Sequence, residues 1–207
     1  MIKIIDYGIG NIQAFMNLLK RLDIPAERAQ NKDDIRNATK LILPGVGHFD
    51  HAMKKLNDSG MRDVLDNKVL VEKTPIIGVC VGMQMMATNS EEGELDGLNW
   101  IPGKVRAFKN FDNFNLPLPH MGWNAIHPIT KLGLFENGFE SAAQFYFLHS
   151  FYFDADEKVD VLAKAHYGLD FAAAVSRGNI YGIQCHPEKS HHWGTKLIKN
   201  FSMIDQC

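Results

Sequence analysis

The chain has 207 residues, 45% of them hydrophobic and 22% charged, an ordinary composition for a compact globular protein and a length that suits one α/β domain or at most two small ones. A formal net charge of −2 leaves no basic excess for nucleic acid or an anionic membrane surface. Three cysteines, Cys80, Cys185 and Cys207, form no CxxC pair; an odd, sparse set argues against a disulfide framework and fits a reducing cytoplasm.

Residues 2–7 read as a first strand, broken by charge too early for a secretory signal. Gly8-Ile9-Gly10-Asn11 follows as a turn, and Ile12, Phe15, Met16, Leu19 and Leu22 then recur at helical spacing, with Asn11 as the cap. The third glycine of a dinucleotide loop is missing, since Gln13 stands there, so the Rossmann reading is weak. Next come a short strand at 26–29, a short helix at 32–38 and a buried strand at 40–43. That strand runs into Pro44-Gly45-Val46-Gly47, and a helix follows at 49–56. Strand, helix, strand, helix, strand is the order of a mostly parallel sheet covered on both faces, a three-layer α/β sandwich. A buried strand at 74–79 passes into a helix at 83–88; 74–90 is uncharged but interrupted by Gly, Gln and Asn, and makes no convincing membrane span. Residues 91–97 read as an acidic, glycine-rich loop, 103–108 as a strand, 109–119 as a long connection and 121–127 as extended chain. The aromatic run 144–153 reads as one strand with His149-Ser150 in its second half. Strands at 159–166 and 171–175 follow, then a hairpin through 176–179 into 180–185, and a closing helix at 195–204. No repeat or linker divides the chain, so 1–207 reads as one domain.

Three stretches carry chemistry. In Gly78-Val79-Cys80-Val81-Gly82-Met83-Gln84 a strand turns abruptly into a helix with a cysteine at the bend, a nucleophile-elbow arrangement. The glycines remove side chains where the backbone folds tightly, a helix N-terminus favours the thiolate, and the Val81 N–H is left for an oxyanion. Alone, a glycine-flanked cysteine after a strand is more often packing. His186 and Glu188 stand at i and i+2, on one face of extended chain, where a carboxylate can orient an imidazole. Facing Cys80 they would complete a Cys–His–Glu triad; an isolated His-Pro-Glu is more commonly a turn. Gly45 and Gly47, at a strand end, can aim a backbone N–H at an oxyanion, or simply make a strand-to-helix turn.

With these motifs in place, the chain resembles the class I glutamine amidotransferases, the triad glutaminases. More narrowly, Asp6-Tyr7-Gly8-x-Gly10-Asn11, Pro44-Gly45-Val46-Gly47, His120-Met121-Gly122-Trp123-Asn124 and His186-Pro187-Glu188-Lys189-Ser190 resemble the glutaminase subunit family of imidazole glycerol phosphate synthase. The resemblance runs from residue 4 to about residue 201. It implies hydrolysis of L-glutamine to glutamate and ammonia through a thioester on Cys80. The ammonia would pass to a (β/α)8-barrel cyclase subunit of histidine biosynthesis, with no cofactor and no metal. By similarity, Gln84 and the backbone around Gly47, Val81, His149, Ser150 and Phe151 hold glutamine, while Asn11, Met121, Trp123, Asn124 and Lys189 lie on the partner face.

Three positions depart from the family pattern: Cys185 replaces an aromatic residue, His48 a small one, and His191-His192-Trp193 follows Lys189-Ser190. They leave the triad motifs intact and bear on the partner, since paralogues of this subunit serve sugar-amidating enzymes of surface-polysaccharide synthesis. His186, His191 and His192 as a metal cluster is the weaker reading against exposed histidines at a helix entry. Two readings of other classes stand beside the amidotransferase: a free-standing cysteine hydrolase, which need not carry Gln84 or Trp123, and a non-catalytic scaffold with a relic triad.

Overall fold

The computed structural model of the chain describes residues 1–130, 133–139 and 143–205; Cys207 lies outside them. Its centre is a parallel block. Strand β1 (Ile2–Ile5) lies between β2 (Ala26–Ala29) and β3 (Lys40–Gly45), and β3 pairs with β4 (Ile76–Cys80) in register Gly45 opposite Cys80. All four residues of β1 and all five of β4 are buried, as expected of strands covered on both faces. Helix α1 (Ile12–Arg21) packs Phe15, Leu18 and Leu19 inward, and its Asn11 cap accepts a hydrogen bond from the Ala14 N–H at 3.3 Å. Helices α2 (Lys32–Ile35) and α3 (Phe49–Asp58) follow their expected strands.

Between α3 and β4 lies a helix with no counterpart in the sequence reading, α4 (Arg62–Asp66), continued by a wide turn over Asn67–Val71. The expected helix at 83–88 is only one turn long, α5 (Val81–Gln84). The reason is tertiary. The carbonyls of Met85, Met86 and Ala87 accept hydrogen bonds from the N–H groups of Leu98, Trp100 and Asn99, so they are spent on a neighbouring segment instead of a second turn. The chain goes on through β5 (Asn89–Ser90), β6 (Gly103–Ala107) and β7 (His120–Pro128).

The aromatic run expected as one strand is two. β8 (Ala143–His149) pairs with β7, and β9 (Phe151–Ala155) pairs with β6, the chain bending at Ser150. Strands β10 (Val161–His166), β11 (Asp170–Arg177) and β12 (Ile180–Ile183) complete the sheet, whose spine runs β2-β1-β3-β4-β12-β11-β10-β7-β8. It is parallel from β2 to β12 and antiparallel beyond, with β12 as the hinge between the two styles. Helix α6 (His191–Met203) starts four residues before its expected beginning. Gly194, which interrupts the helical pattern in the sequence, is needed there: a Cβ would lie 1.8 Å from the Pro187 carbonyl oxygen. Among the described residues no helix is long and apolar enough to cross a membrane.

Candidate active site

Cys80 ends β4 at φ +55°, ψ −114°, a backbone conformation that costs a non-glycine residue on the order of 1–3 kcal/mol. The bend is possible because its neighbours have no side chains. A Cβ on Gly82 would sit 2.0 Å from the Leu43 carbonyl oxygen, and one on Gly45 would sit 2.2 Å from the Gly82 nitrogen. The elbow is therefore clamped against β3 by backbone contact. Because α5 is a single turn, it offers the sulfur little of a helix dipole. Two side chains stand near the sulfur. The Gln184 Nε2–H points at the sulfur from 3.8 Å, and His186 lines the same cavity.

The His186 Nδ1 is hydrogen-bonded to the Glu188 carboxylate at 2.8 Å, with both side chains almost completely buried. This leaves Nε2 for the cysteine. Burial works against the charged imidazole, yet hydrogen bonds and charge from Cys80 and Glu188 hold the His186 pKa well above its ordinary value. The loop that carries the pair is tied to β8. The His186 N–H donates to the Tyr146 carbonyl at 2.9 Å, and the buried Ser190 hydroxyl donates to the His186 carbonyl at 2.6 Å while accepting from the Tyr146 N–H at 3.0 Å.

A cavity of about 340 Å³ opens above the thiol. Val46, Gly47 and Val81 form one wall, His149, Ser150 and Phe151 the other, with Gln84 and Glu92 between them. Gly47 has φ +83°, which only glycine adopts freely. Gly45 does not line the cavity; it packs behind the wall, against the elbow. The Gln84 Nε2 donates to the Phe151 carbonyl at 3.2 Å and to the Gln184 Oε1 at 3.1 Å. His149 is neutral: burial pushes its pKa down to about 3, and its Nδ1–H donates to the Phe151 carbonyl at 2.7 Å.

Two side chains here escaped sequence reading. Glu92, in the acidic loop, accepts the Phe49 N–H at 2.8 Å and turns its carboxylate into the cavity wall; burial raises its pKa. Nothing local in the sequence separates it from Glu91 or Glu94. Gln184 had a signal, being a polar residue inside the apolar run of 180–185, and it is fully buried.

The expected partner face divides. Along β7, Met121 and Trp123 are 65% and 49% exposed and share a side of the ribbon with Tyr146 and Leu148 of β8. Lys189 is exposed beside them, its Nζ 5.6 Å from the Tyr146 ring centroid. Asn124 stands apart from these residues. Strand alternation turns it to the opposite side with His120, and its amide donates to the His166 carbonyl at 2.8 Å. Asn11 is exposed, and its side chain caps α1. The three histidines considered for a metal turn to different surroundings: His186 to Glu188, His191 stacked on Trp123 at 5.1 Å, and His192 against Trp193.

Comparison with known proteins places this geometry. The sequence matches the glutamine amidotransferase class-I family over residues 3–204. Imidazole glycerol phosphate synthase subunit HisH of Bdellovibrio bacteriovorus is 56% identical over 205 residues, covering 99% of this chain and 100% of that protein. Subunit HisH 2 of Pseudomonas aeruginosa is 44% identical, covering 97% and 98%. A solved structure described as a crystal structure of glutamine amidotransferase shares the fold at a TM-score of 0.75 and 20% identity, over 97% of this chain and 96% of that one. Matched from residue 3 to residue 204, and aligned with HisH subunits over nearly its whole length, the chain belongs to the class-I glutamine amidotransferases.

Proposed function

We propose that the chain, as one amidotransferase domain, is the cytoplasmic glutaminase subunit of imidazole glycerol phosphate synthase. In this reading it hydrolyses L-glutamine through a thioester on Cys80 and passes ammonia to a (β/α)8-barrel cyclase. The observation that carries the reading is the cavity lined by Cys80 and His186, with Glu188 hydrogen-bonded to His186, with Val46 and Leu148 exposed at its rim and with Met121 and Trp123 exposed beside Leu148 on the same side of β7 and β8. Full-length relatives named as HisH subunits support the pathway.

The Cys80 thiolate adds to the carboxamide carbon, and the C=O electron pair moves onto oxygen. The Val81 N–H at the elbow would receive that charge, joined by an N–H of the loop around Gly47 once that loop is reoriented. His186, charged beside Glu188, gives its proton to the amide nitrogen. The C–N bond breaks, ammonia leaves and the thioester remains. Water then attacks as His186 takes its proton, and collapse releases glutamate and the thiolate. The Glu92 carboxylate suits the substrate's α-ammonium group, and the Gln84 Oε1, an acceptor, suits an N–H of the substrate.

The sugar-amidating paralogue keeps one supporting observation, His191 stacked on Trp123 at the rim, where it alters the docking surface. His48 supports neither partner, since it caps α3 through its Nδ1. Glutamine turnover and imidazole glycerol phosphate formation, measured with and without the cyclase subunit, test the reading. Full activity of the single chain with no response to the cyclase would overturn it in favour of a free-standing hydrolase.

A further inference from the structure

One histidine of the cavity wall and one behind it form a pair that the reaction does not use directly. His120 of β7 stands opposite His149 of β8, their Nδ1 and Nε2 atoms 2.9 Å apart. His120 is 4% exposed and does not line the cavity. Its ring lies between Tyr167 and Phe147, with centroids at 4.1 and 4.9 Å and near-parallel planes. An aromatic hydrocarbon would fill such a slot without the cost of burying a polar ring, so the nitrogens need a reason to be there.

Backbone groups set the direction of every hydrogen bond in the chain that runs through them. The Asn124 amide is oriented from both ends: Nδ2 donates to the His166 carbonyl at 2.8 Å, and Oδ1 accepts the Ala125 N–H at 2.8 Å. An N–H therefore faces the His120 Nε2 at 3.2 Å, which must be the bare nitrogen. The His120 proton is then on Nδ1 and is donated to the His149 Nε2, so the His149 proton is on Nδ1 and goes to the Phe151 carbonyl at 2.7 Å. That carbonyl also accepts from the Gln84 Nε2, whose remaining proton goes to Gln184. Both amide protons of Gln84 are committed, and its Oε1 is the end left for a ligand.

We propose that His120 is a positioning residue for glutamine: by donating to His149 it fixes the tautomer that anchors the Phe151 carbonyl and, through it, the orientation of Gln84. The proposal rests on the cavity being the glutamine site. The network is polarised in one direction from Asn124 to the carbonyl, and an extra proton on either imidazole would set two donors against each other.

Two variants and one spectroscopic measurement test this. Nitrogen-15 NMR of histidine-labelled protein at neutral pH should show both rings neutral with the proton on Nδ1. His120→Leu removes the donor, while His120→Asn can return an N–H to nearly the same place. With the cyclase subunit present, the leucine variant should show a KM for glutamine raised about tenfold, the effect of losing one orienting hydrogen bond, with kcat within about threefold. The asparagine variant should recover most of that loss. A His149 protonated on Nε2 or charged, or an unchanged KM in a folded leucine variant, would overturn the proposal. Should the leucine variant not fold, the His149 tautomer in the wild-type protein and in the asparagine variant decides. Failure of the glutaminase reading is distinct, because it appears as an unaltered chain that turns over no glutamine at all.

Discussion

The two walls of the cavity are built by different means. The parallel wall, from β3, β4 and the elbow, is backbone against backbone: Gly45 and Gly82 approach so closely that neither tolerates a Cβ. The antiparallel wall, from β7, β8 and β9, is held by side chains: His149 and Gln84 converge on one carbonyl, and His120 is bonded to His149 behind them among packed aromatic rings. Contact between backbones is rigid and intolerant of change. Side-chain networks can be altered one hydrogen bond at a time.

Breaking the parallel wall should have the largest effects. Gly82→Ala forces a Cβ into the Leu43 carbonyl, and a loss of about 3 kcal/mol or more is expected, measured as a fall in the denaturation midpoint together with loss of activity. Cys80→Ser should separate chemistry from folding: unchanged thermal stability, with kcat lowered about ten-thousandfold or more, because a hydroxyl is a far weaker nucleophile at this base. His186→Ala should be nearly as severe and Glu188→Ala milder, since the carboxylate orients and does not react. Near-wild-type turnover by the serine variant would sink the triad.

The loop at the end of β3 gives the next effect. Pro44 is held by the Tyr7 hydroxyl at 2.7 Å, whereas Gly47, three residues on, has open space around its Cα and a freely adjustable conformation. An oxyanion donor missing until the partner covers the rim would cost about a hundred- to a thousandfold in rate. The isolated chain is therefore expected to hydrolyse glutamine slowly, and the cyclase with its ligand to raise kcat more than it lowers KM. Steady-state kinetics on both preparations distinguish this from a wall that is complete from the start.

On the tunable side, Glu92→Gln keeps an oxygen for the Phe49 N–H but removes the charge. KM for glutamine should rise about tenfold with stability little changed, and an unchanged KM would remove Glu92 from the substrate site. Acid stability probes the histidine pair. Burial pushes His120 down to about 4 and His149 to about 3, so below pH 6.5 the unfolded chain takes up protons that the folded chain refuses. Stability should fall with decreasing pH by about 1.4 kcal/mol per unit for each histidine, from pH 6.5 towards 4. His186, held above its ordinary value, is charged in both states there and adds no slope. Chemical denaturation at pH 6 and pH 5, both below the unfolded value, measures the difference.

The same contrast explains what could be read from the sequence. The parallel strands and their helices follow from local apolar runs and caps, and the bend at Cys80 and the His186–Glu188 contact from their compact motifs. The antiparallel wall was harder, because its aromatic pattern continues unbroken through the bend at Ser150, and only pairing with different neighbours divides it. Asn124 illustrates a motif read as a block: alternation along β7 separates it from Trp123 in the structure. The extra length expected of α5, and the role of Glu92, depend on segments distant in sequence, Leu98–Trp100 and Phe49, that no local pattern announces.

The smallest effect should come from Cys185, the thiol that precedes His186. As the residue before His186 it turns to the other side of the chain, and it is fully buried. Burial pushes its thiol well above the ordinary range, and the charges of Glu188 and Cys80 push the same way, so it stays neutral where Cys80 is meant to react. Cys185→Ala removes one buried sulfur, for which a loss of about 1 kcal/mol is reasonable, and kcat/KM should remain within about twofold. Iodoacetamide followed by peptide mapping should modify Cys80, which opens on the cavity, and leave Cys185 intact. Labelling at Cys185 in the folded protein, or loss of thioester formation in the alanine variant, would mean that the backbone-built wall does not separate the two thiols and that the nucleophile has been wrongly assigned.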